Sequence, residues 1–202
     1  MEIRSMKLEE LEEVLDLAVA AFNNAALYRY IEPGEAERAA FLRAFFRQRF
    51  VNGFGYNQID LAVEEGKIIG AAVWQPPEPA GFQREIRLSA QEAMREIAPE
   101  TLRRLGIFFA AMQAGHERNP PPPVWVLTPI FIDPAFQGRG VGSRLIKKQL
   151  PLMDQSGIPC TLYAQEPVNV EIYRRYGFRV TGEDRVGDSG VVSYAMARPV
   201  GG

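Results

Sequence analysis

Apolar residues recur at helical spacing in two stretches near the start of the chain. From residue 8 onward acidic residues occupy the opposite helix face, and the apolar face consists of Leu8, Leu11, Val14, Leu15, Ala18 and Phe22. A second stripe begins near Glu35, ends at Asn52 and Gly53, and consists of Ala39, Leu42, Phe46 and Phe50. The pattern predicts two amphipathic helices that pack on one core.

Shorter runs rich in β-branched residues predict strands before and after these helices. Residues 3–6 form the first short strand, and residues 59–63 and 68–74 flank a turn that contains Gly66. This arrangement is typical of a β-hairpin. The second strand of the hairpin is ended by Pro76, Pro77 and Pro79.

The next segment, residues 83–118, is predicted to be largely helical and to form an insertion between strands. Ser89 and Glu92 have the spacing of a capping box, which marks the start of a helix. Further along, the apolar stripe consists of Leu102, Leu105, Phe109 and Met112.

A buried strand follows the four prolines at residues 120–123. Residues 124–132 form a nearly continuous apolar run, interrupted at Pro129, that is typical of a central strand. A helix opens near Gly140, and residues 160–164 form another buried strand. The predicted unit is therefore a strand, a glycine loop, a helix and a strand.

The chain ends in a short helix and a hairpin. The helix covers residues 169–176 and is closed by Gly177. The hairpin turns across residues 187–190 and ends at Ala197. Because the chain has no internal repeat and no long linker, we expect one domain over residues 1–202.

The composition is that of a folded, soluble protein, with 47% hydrophobic and 24% charged residues among 202. Because 23 basic residues face 25 acidic ones, the chain has no overall positive field to attract nucleic acid or a membrane surface. The longest apolar runs are far shorter than the roughly 18 residues of a membrane span, and the first residues lack the apolar core of a signal peptide. We therefore expect a cytoplasmic protein without nucleic-acid or membrane partners, and a homodimer is left open.

Two residue types that carry much enzyme chemistry occur once each. Cys160 cannot form an internal disulfide or a multi-cysteine metal site, and its apolar strand favours a buried structural thiol over a nucleophile. His116 lies at a helix end before the proline run, a position more typical of a helix-end cation than of a base. The sequence therefore predicts no metal site and offers little material for a Ser-His-Asp triad.

A glycine-rich loop lies between the strand at residues 124–132 and the next helix. In such a loop, successive backbone N–H groups can converge on an anion at the helix N-terminus. Residues 137–148 contain four basic residues and no acidic one, whereas residues 1–16 contain six acidic and two basic residues. The predicted anion-binding residues are Gln137, Gly138, Arg139, Gly140, Val141, Gly142 and Ser143.

Two common phosphate-binding motifs do not fit this loop. A P-loop requires a lysine directly after its second glycine, but Gly142 is followed by Ser143 and Arg144. A dinucleotide fingerprint that starts at Gly138 would need its third glycine at Ser143. Neither nucleotide-binding motif is supported.

The loop does match the pattern Gln/Arg-x-x-Gly-x-Gly/Ala, at Gln137, Gly140 and Gly142. The stretch LTPIFIDPAFQGRGVGSRLI has a strand, Asp-Pro, loop and helix in the order found in the GNAT superfamily, and NVEIYRRYGFRV resembles the second motif of that superfamily. Over nearly its whole length the chain therefore resembles the acetyl-CoA-dependent N-acetyltransferases of the GNAT superfamily. By arrangement it is most similar to puromycin-acetyltransferase-like proteins.

The resemblance implies an α+β fold with a twisted, mostly antiparallel sheet of about seven strands flanked by helices. In this family the fourth and fifth strands splay apart, and the pantetheine arm of acetyl-CoA pairs with backbone in the gap. Pro129 lies where such a splay is expected, although it also fits a plain bulge. Residues 1–118 would form the acceptor side and residues 124–198 the acetyl-CoA-binding half. The residues that pair with the arm are, by resemblance, Ile130, Phe131 and Ile132.

The same resemblance assigns a proton donor. Tyr173 occupies the tyrosine position of the family's Tyr-x-x-x-Gly-Phe pattern, and a phenol of pKa about 10 can protonate a thiolate of pKa about 8.5 at a cost of about 2 kcal/mol. Tyr176 is the back-up donor or a packing residue. Asn169, on the same helix face as Tyr173, either bonds the pantetheine amides or caps the helix.

The proton acceptor is less defined. An alkyl amine is mostly protonated at neutral pH, so some group must accept its proton. Many relatives use an acid on the central strands, but before Asp133 the central strand here offers only Thr128. The alternatives are Asp60, Glu64, Glu166 and a chain of water molecules.

The function that the resemblance implies is direct transfer of an acetyl group from acetyl-CoA to a primary amine of a small molecule or peptide. Four aromatic residues either line an acceptor pocket or belong to the core, namely Phe22, Tyr28, Phe50 and Trp74. Two alternatives stay open: a non-catalytic CoA-binding sensor or assembly module, and a protein N-terminal or lysine acetyltransferase with an open groove.

Overall fold

Seven strands form one sheet in the order β1-β2-β3-β4-β5-β7-β6. The computed structural model describes residues 1–78 and 85–201, and its strands are β1 (Glu2–Ser5), β2 (Gln58–Glu64), β3 (Lys67–Gln75), β4 (Trp125–Ile132), β5 (Cys160–Ala164), β6 (Arg179–Arg185) and β7 (Val192–Arg198). All neighbouring strands are antiparallel except β4 and β5, which are parallel. The expected seven-stranded, mostly antiparallel sheet is confirmed.

Helices cover both faces of this sheet. In the described part of the chain they are α1 (Leu11–Phe22), α2 (Ala26–Ile31), α3 (Glu35–Gly53), α4 (Ala90–Ala93), α5 (Pro99–His116), α6 (Val141–Ser156) and α7 (Pro167–Arg174). Helices α1, α2, α3 and α5 pack on one face, and α6 and α7 pack on the other. Within residues 1–78 and 85–201, no helix combines the length and the apolar character that crossing a membrane requires.

The sheet separates two apolar cores, which explains the nearly continuous apolar runs in its central strands. Successive side chains of a strand point to opposite faces. In β3, Ala71 and Val73 lie in the core beneath α1 and α3, whereas Ala72 and Trp74 lie in the core beneath α6. A strand buried on both faces cannot alternate apolar with polar residues.

The helix ends follow local sequence signals. Glu92 donates its backbone N–H to Ser89 Oγ over 3.1 Å, and Ser89 donates its own N–H to Glu92 Oε2 over 3.0 Å, which confirms the capping box. Helix α6 lies between Gly140 and Gly157, whose φ angles of 79° and 63° are left-handed. Residues other than glycine rarely adopt this conformation, so both ends of α6 are set by the sequence.

Two helices differ from the sequence-based expectation. Helix α2 was not expected, and in α5 the predicted stripe is partly wrong, because Leu102 and Phe109 are 38% and 41% exposed. Leu105 of the predicted stripe is buried, together with Phe108, which the stripe did not include. Pro79 and Gln83, named above for a strand end and a helix start, lie outside the described residues.

The short helix α2 is held by a buried arginine from the next helix. Arg38 donates from Nε to the carbonyl of Asn23 over 2.6 Å, and from Nη1 to the carbonyls of Glu32 and Pro33 over 2.9 Å each. These carbonyls lie at the ends of α1 and α2, where a helix leaves oxygen atoms without helical partners. Arg38 thereby fixes the connections between the first three helices.

Candidate active site

Strands β4 and β5 pair only over a short ladder, which consists of Trp125–Cys160, Val126–Thr161 and Leu127–Leu162. Beyond Leu127, β4 continues along β3 as far as Ile132, whereas β5 continues along β7. The two strands therefore diverge and leave a gap in the sheet. The gap opens two residues before Pro129.

On the β3 side of β4, the same region is bulged. Thr128 and Pro129 together lie opposite the single residue Val73. Both interpretations of Pro129 therefore apply at once, because this residue lies at a β-bulge and at the splay.

The backbone orientation of β4 decides which residues face the gap. Asp133 donates its N–H to the carbonyl of Ile69 on the β3 side over 2.9 Å. Because backbone groups alternate between the two edges of a strand, Phe131 also faces β3, and Ile130 and Ile132 face the gap. Two of the three residues expected to pair with pantetheine thus present backbone groups to it, and Phe131 does not.

The glycine loop presents a row of backbone donors to solvent. In the described structure, none of the seven N–H groups of residues 137–143 donates to another backbone group. Gly138 and Gly140 have left-handed φ angles of 75° and 79°, and a Cβ on either would contact no protein atom within 4 Å. Such open space in front of free N–H groups fits a phosphate or pyrophosphate.

Two of the basic residues in or near this loop form ion pairs with acids of β2, and a third is exposed. Arg139 forms an ion pair with Glu64 over 3.1 Å, and Lys148 forms one with the fully buried Asp60 over 2.6 Å. Lys148 therefore binds a carboxylate in the interior of the protein, although it lies near the surface of α6. Arg144 is exposed on the first turn of α6.

A cavity of about 140 Å³ lies where the gap between β4 and β5 meets the helices of the opposite face. Its strand walls come from residues 127–130 and 162–164. Its helical walls include Phe22, Tyr28, Phe45, Phe46, Phe108 and Phe109. Helix α7 closes the third side with Asn169 and Tyr173, and Glu166 precedes that helix.

Tyr173 is almost fully buried, with 8% of its surface exposed, and lines this cavity. Its ring meets Phe178 edge to face, with 6.0 Å between ring centres. Burial raises the pKa of Tyr173 well above its usual value, because the phenolate would be poorly solvated. The side chain therefore keeps its proton throughout the physiological pH range.

The two neighbours of Tyr173 in the predicted motif have separate positions. Asn169 is the third residue of α7 rather than its cap, so the capping alternative is wrong, and its side chain lines the cavity. Tyr176 follows the end of α7 and packs on the α6 side of the sheet. Tyr176 is not one of the described residues that line the cavity.

Of the three acids considered as proton acceptors, only Glu166 lies at the cavity. Asp60 is buried beneath α6, where Gln149 Nε2 donates to its second carboxylate oxygen over 2.5 Å. Glu64 lies near the glycine loop in its ion pair with Arg139. Both carboxylates are thus engaged elsewhere.

Other residues singled out in the sequence divide between core and surface. Trp74 is fully buried in the core beneath α6, whereas Phe22 and Tyr28 line the cavity. Burial raises the pKa of the Cys160 thiol to about 12, so this residue is not a thiolate near neutral pH. His116 is the exposed last residue of α5.

Arg49 was missed by the sequence analysis although it lies at the cavity. Its Nη2 donates to Thr128 Oγ1 over 3.0 Å, and its guanidinium carbon lies 5.4 Å from the centre of the Phe45 ring. Arg49, Thr128 and Pro129 also line a second cavity, of about 280 Å³, which Phe50 borders. The contact between Arg49 and Thr128 joins residues 79 positions apart, and no local sequence pattern indicates it.

Known proteins of similar sequence and structure are acetyltransferases. An acetyltransferase of Stachybotrys chartarum is 24% identical in an alignment of 201 positions, which covers 93% of this chain and 84% of that protein. A structure from Corynebacterium glutamicum, described as histone acetyltransferase HPA2 and related acetyltransferase, has 20% identity and a TM-score of 0.67 over 99% of this chain and 96% of that one. The PaiA N-acetyltransferase of Thermoplasma acidophilum, solved in complex with coenzyme A, has 17% identity and a TM-score of 0.55 over 98% of both chains.

At these identities the two structures establish a shared fold. Membership is decided by the family model for the Acetyltransferase (GNAT) domain, which matches residues 89–198 and so more than half of the 202 residues. The chain therefore belongs to the GNAT family of acetyltransferase enzymes.

Proposed function

We propose that the protein transfers the acetyl group of acetyl-CoA directly to a primary amine of a small molecule or peptide. One observation carries the proposal: the cavity with Tyr173 lies at the start of the open edge of β4, and the loop with the free N–H groups follows the end of that strand. A protein of the same fold, from Thermoplasma acidophilum, binds coenzyme A.

The cofactor half would be formed by residues 124–198. When bound, acetyl-CoA would supply the acetyl group as a thioester. The N–H groups of residues 137–143 would bind its pyrophosphate, and Ile130 and Ile132 would pair with its pantetheine arm as an added strand. Asn169, which lines the same gap, would donate to or accept from the amides of the arm.

Two groups of the chain would stabilise charge during the transfer. A backbone N–H of the splayed β4 would donate to the oxygen atom on which negative charge develops. Tyr173 would hold a proton beside the departing sulfur, and its raised pKa guarantees that this proton is present. The inert, buried Cys160 supports direct transfer over an acyl-enzyme route.

The acceptor amine would occupy the aromatic part of the cavity. The walls there come from α1, α2, α3 and α5, which belong to the proposed acceptor side at residues 1–118. Pockets lined by aromatic side chains with a few polar groups are typical small-molecule sites.

The cofactor part of this proposal is tested with a matched pair of glycine variants. In Gly142→Asp the new Cβ would meet only Ile132, at 3.9 Å, so the fold should persist while the carboxylate repels the pyrophosphate. Gly106→Asp adds the same group to an exposed helical glycine with nothing within 4 Å. Acetyl-CoA should stabilise the wild type and Gly106→Asp by about 2.7 kcal/mol at a hundredfold excess over Kd, and should not stabilise Gly142→Asp.

Thermal unfolding with and without acetyl-CoA measures this effect, and release of free thiol in the presence of amines measures turnover. Equal stabilisation of all three proteins would contradict the assignment of the glycine loop. Stabilisation without thiol release for any amine would favour a non-catalytic CoA-binding module.

A further inference from the structure

Among the described residues that line the aromatic cavity, one carries a carboxylate: Glu166, which lies directly before α7. Glu166, Asn169 and Tyr173 all line the cavity. Asn169 and Tyr173, four residues apart, lie on one face of α7, and Glu166 is the extended residue directly before this helix. The wall of the cavity that carries the proton donor therefore also carries an acid.

The carboxylate of Glu166 is available for a ligand. Glu166 is the N-cap residue of α7, but its side chain does not cap the helix. Within residues 1–78 and 85–201 it forms no hydrogen bond or ion pair through its side chain, and it is half-buried. A half-buried anion without a partner in the fold is suited to bind a cation that arrives with a ligand.

The opposite wall of the cavity carries a positive charge. Arg49 lies on α3 against Thr128 of β4, on the other side of the splay from Glu166. An ammonium group in the cavity is attracted by the Glu166 carboxylate, which orients an amine towards α7. Tyr173 and the open edge of β4 lie on that side.

The aromatic residues of the cavity wall indicate which chemical group the ligand carries besides its ammonium. Phe45 and Phe46 contact each other edge to face at 5.2 Å, and both belong to the larger set of aromatic walls. An apolar cavity of about 150 Å³ accommodates a single benzene ring in another protein. The acetyl group and the end of the pantetheine arm would share the volume of about 140 Å³ here, so the space left for the acceptor fits at most one ring with a short arm.

We infer that the acceptor is a primary amine on a short arm of a single aromatic ring, or of an apolar ring of similar size, and that Glu166 accepts the proton its ammonium group must lose. The inference rests on the proposed acetyl transfer and names its substrate class. A polyamine fits less well because its second ammonium would lie among apolar walls and near Arg49. A peptide lysine needs an open groove, whereas this space is bounded by α1, α3 and α5.

The transfer balances with these two side chains. The ammonium gives one proton to Glu166, and the nitrogen lone pair then forms the N–C bond while the C–S bond breaks and its electron pair stays on sulfur. The sulfur takes the proton of Tyr173, and the nitrogen returns its second proton to the phenolate. The products are an N-substituted acetamide, free CoA and protonated Glu166, which releases its proton to solvent.

An amine panel tests the substrate class. We expect kcat/KM for 2-phenylethylamine to exceed the values for spermidine and for a lysine-containing peptide at least about tenfold, which corresponds to about 1.4 kcal/mol. Free-thiol release measures turnover, and calorimetry of each amine with the CoA-bound protein measures binding separately. A preference for spermidine or the peptide would overturn the inference.

A pair of variants on α7 tests the proton acceptor. Glu166→Gln should lower kcat/KM for 2-phenylethylamine about 10²-fold or more near pH 7, and the deficit should shrink as pH approaches the pKa of the amine itself. Glu171→Gln is the control, since Glu171 is exposed and paired with Arg174 over 2.6 Å. A loss that is equal at every pH, or equal in both variants, would overturn the role of Glu166.

The outcomes separate the two proposals. In every variant acetyl-CoA should still raise the unfolding temperature, because neither substitution touches the glycine loop. If the wild type is not stabilised by acetyl-CoA, the proposed function fails. If acetyl-CoA binds but another amine class is preferred, the inference about the acceptor fails. If acetyl-CoA binds and no amine is acetylated, the proposed transfer fails and the inference about the acceptor fails with it.

Discussion

At the scale of single residues, the burial of Tyr173 has two effects on proton transfer. Desolvation raises the pKa of the phenol, which makes it a weaker acid than free tyrosine. A thiolate released into the same space loses solvation too, so its affinity for a proton also rises. The two pKa shifts act in the same direction and therefore offset each other, at least in part, in the proton transfer.

Replacement of the phenol should therefore affect turnover alone. We expect Tyr173→Phe to lower kcat about 10² to 10⁴-fold, the usual contribution of one positioned proton donor. The ring that packs on Phe178 is retained, so the unfolding temperature and the stabilisation by acetyl-CoA should change little. Steady-state kinetics and thermal unfolding measure the two effects.

Tyr176→Phe is the matched control, since Tyr176 packs on the α6 side of the sheet. If Tyr176→Phe loses activity while Tyr173→Phe keeps it, the assignment within the tyrosine motif is wrong. If both variants keep full activity, a protein proton donor is not required for thiol release.

The sequence was informative for residues in local motifs and uninformative for residues brought together by the fold. The loop at residues 137–143 and Tyr173 each lie in a short sequence motif, so both could be proposed as site residues from the sequence. Arg49 meets Thr128 only after α3 and β4 pack together. The selection of Glu166 among three acids likewise required knowing which face of the sheet each acid reaches.

At the scale of elements, one buried acid attaches α6 to the sheet. Asp60 on β2 is fully buried and is bound by two successive residues of α6, Lys148 and Gln149. The N-terminus of α6 carries the glycine loop. The position of the loop relative to the sheet therefore depends on a contact about two turns away along the helix.

Removal of the cation should leave the Asp60 carboxylate buried without its ion-pair partner. We expect Lys148→Met to lower the free energy of unfolding by about 1 to 2 kcal/mol, less than the cost of breaking a fully buried pair, because the Lys148 side chain is itself 33% exposed. Lys147→Met is the control, since Lys147 is exposed, and should change it by less than about 0.5 kcal/mol. Urea unfolding followed by circular dichroism measures both; similar values for the two variants would show that the buried pair contributes little.

Element boundaries were predictable where a cap or a breaker marks them. The capping box at Ser89 and the glycines that flank α6 are such signals. Helix α2 has only six residues, too few for a periodic pattern, and depends on Arg38 from α3. In α5, Phe109 belongs to the predicted apolar stripe, but it faces the cavity and is therefore partly exposed.

At the scale of the whole molecule, several weak acids are buried in their neutral forms. Burial raises the pKa values of Tyr28 and Cys160 to about 12 and also raises that of Tyr173. In the unfolded chain these groups ionise at lower pH. The unfolded state therefore loses protons first, and the stability present below about pH 9 is lost as pH rises towards the folded values.

The Cys160 contribution to this loss can be isolated. With an unfolded pKa of 9.0 and a folded value of about 12, this thiol alone should lower the free energy of unfolding by about 2 kcal/mol between about pH 9 and pH 11. Cys160→Ala should show a correspondingly flatter dependence, whatever its stability at pH 8. Urea unfolding across this range measures the slope, and parallel slopes would mean that the thiol is not desolvated as described.

The overall fold followed from the sequence more fully than the acceptor site did. The mostly antiparallel sheet of about seven strands and the splay were implied together by the family resemblance of the motifs around residues 137–143 and Tyr173. The walls of the proposed acceptor site come from α1, α2, α3 and α5. From the sequence, the apolar residues of these helices could belong to the core as well as to a pocket. The similarity to puromycin-acetyltransferase-like proteins stays a prediction.

The short ladder between β4 and β5 also has a spectroscopic consequence. The chain contains two tryptophans, and both lie in strand pairs at this ladder: Trp125 opposite Cys160, and Trp74 opposite Leu127. Trp74 is fully buried in the apolar core beneath α6, so we expect its fluorescence to be blue-shifted in the folded state and to shift to the red when water reaches an opened sheet. The intrinsic emission of this protein is thus an optical reporter of the junction that holds the two halves of its sheet together.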